Sequence, residues 1–274
     1  MDALSPLPMV SIITPVLNNR NDLEACIRSV AEQTYRPKEH WIIDGGSNDG
    51  TLELIQQYAS EWPHIHWISQ KDQGIYDAMN HGIELAGGDW LHFLGSDDLL
   101  YNPTVLEDIF TDKNLIACDI LYGNIILRNS GKVLGEELDL EKLKIQCTHH
   151  QATFTRKEVF DTFGKYNTDY KICADWAYTI QCFRTPGLKI RYIDKIIAVY
   201  SDEGFSKSSF VLSPRARDRM FKADFDMLFE KFSCSDRFRF FCDNYLPKYL
   251  NPYRYAGFIR RRFFRKKTRT LSDA

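Results

Sequence analysis

No run of about 18 consecutive apolar residues occurs in the sequence, the length a bilayer-crossing helix requires. The first ten residues, MDALSPLPMV, lack the positive start and apolar stretch of a secretory leader. The expected location is therefore the cytoplasm. Cysteine occurs seven times, at 26, 118, 147, 173, 182, 234 and 242. An odd set without a C-x-x-C pair points to neither a disulfide framework nor a zinc site, so reduced, mostly buried thiols are expected.

The common phosphate and catalytic signatures are missing as well. There is no G-x-G-x-x-G and no G-x-x-x-x-G-K-[ST], which removes the dinucleotide fingerprint and the P-loop. The glycine-rich GGSNDGT at 45–51 carries no lysine to reach a phosphate. It fails as a calcium loop, because Asp49 stands where that loop needs glycine, and as a G-x-S-x-G nucleophile elbow for the same reason. No H-E-x-x-H is present.

What is present is a regular alternation over the first 110 residues. Val10–Thr14 is a short apolar run, followed by Leu23, Cys26, Ile27, Val30 and Ala31 at helical spacing. His40–Asp44, Ile65–Ile68 and Trp90–Leu94 read as further strands. Between them lie amphipathic segments carrying Leu52, Ile55 and Ala59, then Ile75, Ala78, Met79, Gly82, Ile83 and Ala86. Strands separated by helices predict βαβ crossovers and a mainly parallel sheet, with ligands bound beyond the strands' carboxyl ends. Further on, Ile120–Leu134 reads as a hairpin around Asn129-Ser130-Gly131, Ala152–Phe154 as a strand and Asp175–Phe183 as a helix. With 274 residues, 44% of them hydrophobic, the chain suits one large α/β domain with an appendage.

Thr14, Asp44, Lys71-Asp72 and Asp97-Asp98 all fall at or just past predicted strand ends. The last pair poses an electrostatic problem. Two carboxylates ~4 Å apart repel by roughly 1 kcal/mol in water and ~4 kcal/mol at a protein surface. A solvated turn or a helix start would relieve that repulsion. So would a divalent cation, and carboxylates suit Mg²⁺ or Mn²⁺, which share phosphate oxygens.

Taken in order, ITPVLN (13–18), IDGGSNDGT (43–51), DQGIYDAMNHGIELAGGDWLHFLGSDD (72–98) and HHQATF (149–154) resemble family 2 glycosyltransferases, and most of all bacterial enzymes of exopolysaccharide, capsule or lipopolysaccharide biosynthesis. The resemblance spans roughly residues 9 to 200. It implies a GT-A domain over 1–212, with a mainly parallel sheet flanked by helices; beyond it, 213–274 reads as a helical extension, charged and aromatic-rich, with Pro247 and Pro252 as breaks. It implies that Thr14 and Pro15 frame the base of a nucleotide-sugar donor and that Asp44 accepts from a uracil ring. Asp44 could instead cap the next helix. Lys71 and Asp72 would line the nucleotide, with Gly74 letting the backbone approach it. Asp97 would contact the ribose, and Asp98 a Mn²⁺ or Mg²⁺ ion on the diphosphate. Ser96 replaces the motif's outer acid, which leaves open whether Asp97 also touches metal.

The same resemblance makes Asp175 the general base, at a helix start that favours the anion, with Asp169 in reserve. His149, His150 and Gln151 lie where the family folds over the donor, and Trp176 either stacks on a sugar or packs the core. The implied reaction is inverting, metal-dependent transfer from a nucleotide sugar, UDP first and GDP next, to a lipid-linked or growing glycan. Two alternatives remain open: a sugar nucleotidyltransferase, whose basic glycine-rich loop is absent after ITPVLN, and a catalytically silent glycan- or partner-binding module.

Charge is distributed unevenly. From Asn244 onward nine Lys and Arg face one acid, a net +8 in a chain of net −2. Tyr255, Phe258, Ile259 and Phe263 recur at helical spacing, while Arg260, Arg261, Arg265 and Lys267 lie mostly off that stripe. Such a segment, over 252–269, suits an anionic membrane surface; packing on the acidic body is the other reading, and nucleic acid is not expected. Flotation with anionic vesicles is the check: truncation after Pro247 should abolish co-flotation, and a truncated protein that floats as well as the whole chain removes the tail from this role.

Overall fold

The computed structural model describes residues 6–144 and 146–201. The expected boundary at 212/213 and the basic segment 252–269 lie outside them. Three βα steps and a fourth strand come first: β1 (Val10–Val16), α1 (Arg20–Ala31), β2 (Lys38–Asp44), α2 (Thr51–Glu61), β3 (Ile65–Ser69), α3 (Ile75–Leu85) and β4 (Trp90–Phe93). Then come β5 (Leu99–Leu100), α4 (Val105–Phe110), β6 (Ile120–Leu127), β7 (Val133–Leu134), β8 (Thr153–Arg156), α5 (Lys157–Phe163), α6 (Ala174–Arg184) and β9 (Ile190–Tyr200). No helix among the described residues is long and apolar enough to cross a membrane.

The strands form one sheet in the order β3-β2-β1-β4-β8-β6-β9-β5, with β7 paired to β6. Its first four strands are parallel, as the alternation of apolar periods predicts. The second half is mixed: β8 runs antiparallel to β4 and β6, whereas β9 runs parallel to β6. The chain moves outward from β1 to β3 and then returns to place β4 on the other side of β1. That reversal opens a crevice at the carboxyl ends of β1 and β4.

Strand alternation sends side chains to both faces, and both are buried. Val10, Ile12 and Trp90 join Phe110 and Phe154 on one side, while Ile13, Leu91 and Phe93 join Met79, Phe160 and Tyr178 on the other. In α1 the buried residues are Leu23, Cys26, Ile27, Val30 and Ala31, the predicted stripe. In α2 the core-facing residue of the last turns is Tyr58, with Thr51 and Ile55, and Ala59 is only partly covered. Cys26, Cys118, Cys173 and Cys182 are buried thiols, and Cys147 is a partly buried one.

Strand β9 is the longest element the apolar periodicity does not signal. Its burial alternates irregularly, with Arg191, Asp194 and Lys195 exposed, so no clean period-2 pattern survives. It pairs with β6 across register shifts around Gly123. A Cβ at Gly123 would lie 2.7 Å from the Lys195 carbonyl oxygen, so glycine is needed at this irregularity. Helix α3 rests on β1 through a similar close approach, because a methyl at Gly82 would collide with Ile13 Cγ2. Gly82→Ala should therefore lower unfolding free energy by about 1–3 kcal/mol, read from urea denaturation; an unchanged midpoint would show that the helix shifts without cost.

Candidate active site

At the end of β2, Asp44 is fully buried. Its carboxylate accepts from the N–H groups of Gly46 at 3.3 Å and Ser47 at 3.2 Å, and from the hydroxyls of Ser47 and Ser69 at 2.5 Å each. Both oxygens are thus engaged by its own turn. The helix-cap reading does not apply, since α2 begins at Thr51 behind Gly50.

Thr14 is also fully buried, its hydroxyl 2.9 Å from His40 Nε2 and 3.9 Å from Cys26 Sγ, so only its backbone is available to a ligand. Pro15 is tolerated in this interior strand for a local reason. Ile13 faces β4, accepting from the Leu94 N–H. Two residues on, Pro15 points the same way past the end of β4, where no donor is required.

Asn18 takes a left-handed φ of 50°. Its N–H donates to Ser47 Oγ at 2.8 Å, and its side-chain oxygen accepts from the Asn48 N–H at 2.9 Å. These bonds join the loop after β1 to the loop after β2. Neither Asn18 nor Ser47 was a candidate from the sequence, although both lie inside the motifs. Lys71 is exposed, and Asp72 accepts from the Gly74 N–H at 2.9 Å. Burial raises the Asp72 carboxyl, partly offset by that bond. Gly74, at φ +129°, opens α3 in a conformation that favours glycine.

The acid pair occupies the loop after β4. A Cβ at Gly95 would lie 2.6 Å from Asp98 Oδ2 and 3.1 Å from Asp97 Oδ1, so the missing side chain makes room for both carboxylates. Asp98 is 2% exposed. Its Oδ1 accepts from the Ser201 N–H at 2.8 Å. Burial first, and then the charge of Asp97, push Asp98 up to about 7. Burial likewise raises Asp97, against the Ser201 hydroxyl and the Arg128 guanidinium. Arg128 donates to the Asp97 carbonyl and lies 3.7 Å from Asp22.

Two crowded carboxylates with elevated protonation fit a divalent cation, whose charge would relieve the repulsion. Among the described residues no cluster of three or more His, Cys, Asp or Glu could enclose a metal. The donor set suits an ion that completes its shell with water and phosphate. Asp97 is the more accessible of the two acids.

Asp175 lies in the first turn of α6. The Tyr76 hydroxyl donates to Oδ1 at 2.8 Å and contacts the Ile172 carbonyl at 2.6 Å, while His150 Nδ1 is 3.0 Å from Oδ2. Burial alone would raise Asp175, but His150, Tyr76 and the Trp176 N–H together hold it below the ordinary carboxylate value. Burial works against His150 too, yet Asp175, Asp98 and Asp97 raise it. His150 and Asp175 line a cavity with Thr148, Thr153, Tyr178 and Thr179.

The neighbouring candidates differ. The His149 carbonyl accepts from the Thr153 hydroxyl at 2.8 Å, closing the turn before β8. Trp176 is 8% exposed and donates to the Leu143 carbonyl at 2.8 Å, which is core packing. Asp169 is exposed, its N–H bound to Asn167 Oδ1. Tyr76, Arg128 and Ser201 are further site residues. Tyr76 is within the DQGIYDAMN string, whereas Arg128 and Ser201 carry no local signal and reach the site only through β6 and β9.

The pKa of Asp98 gives this site a pH signature. Its folded value lies above the unfolded one of 3.8, so its ionisation costs stability as pH rises through about 7, and metal must bind the ionised form. With UDP present, Mn²⁺ should raise the Tm more at pH 8 than at pH 6; an equal rise at both would detach metal binding from this pair.

Comparisons with known proteins agree with this architecture. The family model described as glycosyl transferase family 2 matches residues 11–176. A "PGL/p-HBAD biosynthesis glycosyltransferase" of Mycobacterium bovis (strain BCG / Pasteur 1173P2) is 40% identical over 212 residues, covering 74% of this chain and 81% of that protein. Among solved structures, Staphylococcus aureus TarS 1–349 in complex with UDP-GlcNAc superposes with a TM-score of 0.62 at 18% identity, over 83% of this chain and 74% of that one. A mannosyltransferase from Pyrobaculum calidifontis, in complex with GDP-Man and Mn²⁺, gives 0.57 at 14% identity, over 91% and 83%. With a family match over more than half its length and a curved α/β sheet of GT-A type, the chain belongs to glycosyl transferase family 2.

Proposed function

We propose that the chain is an inverting, metal-dependent hexosyltransferase. It moves a sugar from a nucleoside diphosphate, UDP in the first instance, to a hydroxyl of a lipid-linked or growing glycan in surface polysaccharide assembly. The observation that carries this reading is Asp175: a carboxylate kept ionised by His150 and Tyr76.

In this reading Asp175 takes the proton from the acceptor hydroxyl as its oxygen attacks the anomeric carbon. The bond from that carbon to the diphosphate breaks with its electron pair leaving on phosphate. Attack from the opposite face inverts the anomeric centre, and no covalent intermediate forms. Asp98 and Asp97 would hold a Mn²⁺ or Mg²⁺ ion, which when bound supplies Lewis-acid neutralisation of the diphosphate. The backbone at Thr14 and Pro15, the loop shaped by Asp44, and Lys71, Asp72 and Gly74 frame the nucleotide. His149 lies beside the donor, and Trp176 supports α6 from the core.

A UDP donor is supported by the complex with UDP-GlcNAc, and the metal, with GDP as the second donor, by the complex with GDP-Man and Mn²⁺. The 252–269 segment supplies the charge for a peripheral position on the inner face of the cytoplasmic membrane.

A donor-hydrolysis screen over UDP- and GDP-sugars, with and without Mn²⁺, tests the reading, with the product anomer assigned by NMR. Asp98→Ala should abolish metal-dependent nucleotide binding. Asp175→Asn should leave that binding intact and lower transfer by about 10²–10⁴-fold. Full turnover by Asp175→Asn would move the base elsewhere, and a retained anomer would overturn inversion.

A further inference from the structure

Consecutive residues after β1 bond in opposite directions, to the loops on either side of them. The Asn18 N–H donates to Ser47 Oγ at 2.8 Å, and Asn18 Oδ1 accepts from the Asn48 N–H at 2.9 Å. The Arg20 N–H donates to Asp49 Oδ2 at 3.2 Å. Asn19, between them, turns the other way: its side-chain amide donates to Ser96 Oγ at 3.0 Å, in the loop after β4. On the first side Ser47 Oγ continues the line by donating to Asp44 Oδ1 at 2.5 Å. An unbroken path of hydrogen bonds and peptide bonds thus runs from Asp44 through Ser47, Asn18, Asn19 and Ser96 to Asp97 and Asp98.

Strand order makes this path possible. β1 lies between β2 and β4, with Val16 level with Asp44 and Ile13 level with Phe93. Neighbouring strands are about 4.8 Å apart, so the loops after β2 and β4 stand roughly 10 Å apart with the loop after β1 in the middle. The loop after β4 has other ties: Cys26 Sγ donates to the Gly95 carbonyl at 3.4 Å, Arg128 to the Asp97 carbonyl, and the Ser201 N–H to Asp98 Oδ1. Asn19 is the tie whose neighbour in sequence is bound to the loop after β2.

Both asparagines set aside a local role. Asn19 is the N-cap residue of α1, where an asparagine side chain ordinarily accepts from the first N–H groups of the helix, yet it makes no such bond. Asn18, at φ 50°, is the non-glycine residue with positive φ among the described residues, in a conformation that asparagine tolerates better than most side chains. Asn18 is exposed, and Asn19, Ser47 and Ser96 are partly buried, so water can replace a lost donor there at small cost to folding. Local rules broken with little return in stability mark functional positions.

We propose that Asn18 and Asn19 form a cross-tie that sets the separation between the loop after β2 and the acid pair, with Asn19 the positioning residue for Asp97 and Asp98. The cross-tie rests on the function proposed above, which gives the first loop to the nucleoside and the acid pair to the metal-bound diphosphate. A nucleoside diphosphate lying across the crevice meets both loops at once, and loops already fixed relative to each other need not be ordered when it binds.

The metal separates the two ends of the tie. In the full-length protein, the Kd of UDP is measured by calorimetry in MnCl₂ and by ligand-observed NMR in EDTA, and the urea midpoint is recorded for each variant. Asn19→Ser keeps a good N-cap but is too short to reach Ser96. It should leave the urea midpoint unchanged or higher and weaken UDP binding about three- to tenfold in Mn²⁺, while changing the metal-free Kd less than about twofold. Ser96→Ala should cause the same loss of affinity, and the double variant should be no worse than either single one, because both remove one bond. Asn18→Gly, which accepts the left-handed φ, should weaken UDP by equal factors with and without the metal.

If Asn19→Ser weakens both Kd values by the same factor in step with a lowered urea midpoint, Asn19 is merely structural and the cross-tie is wrong. Unchanged affinities in Asn19→Ser and Ser96→Ala, losses that multiply in the double variant, or an Asn18→Gly effect confined to the metal-bound Kd overturn it equally. A wild-type protein that binds no UDP in either condition is a different result. It overturns the proposed function, and the cross-tie with it.

Discussion

Like charge confined in a small volume is the constraint around which this molecule is arranged. Asp97 and Asp98 are brought together in the loop after β4, and burial of Asp98 denies it the water that would screen its neighbour. The surrounding chain answers with donors: the Ser201 N–H and, across Asp97, the Arg128 guanidinium. These groups come from the ends of β9 and β6, so the second half of the sheet is built toward the acids. Gly95 completes the arrangement, since a side chain there would occupy the space of both carboxylates.

A second carboxylate is treated in the opposite way. Asp175 is buried too, but it receives an imidazole and a phenol, and its charge is favoured despite desolvation. The contrast between the two sites, one acid pushed up and one held down, comes from their neighbours, a second carboxylate in one case and an imidazole with a phenol in the other. Asp44 represents a third use of the same side chain. Its oxygens are consumed by Gly46, Ser47 and Ser69, so that it shapes the loop after β2.

Much of this was legible in the sequence, and the reason is local. Parallel strands covered on both faces read as apolar runs, and amphipathic helices between them read as period-3.6 stripes. Thus α1 buries the five residues that the spacing marks, and Thr14, Asp44 and Asp97-Asp98 lie at or just past strand ends, as the alternation places them. The hairpin of β6 and β7 follows from Asn129-Ser130-Gly131 between apolar flanks. Strand β9 does not read this way, because its exposed charges break the alternation. Nor do α4, α5 and β5, which are too short to accumulate a periodic signal.

By itself the sequence determined the α/β class, the order of the first seven elements and the strand ends where chemistry gathers. It did so because hydrophobic period and turn residues act over a few neighbours. The partners of the carboxylates were decided only by the tertiary structure. Ser201 meets Asp98 across 103 positions, Tyr76 meets Asp175 across 99, and His150 meets Asp175 across 25. Whether an acid is pushed up, held down or spent on bracing a loop depends on how much water it loses and which donors surround it. Both are set by strand order and register, where residues distant in the chain first become neighbours.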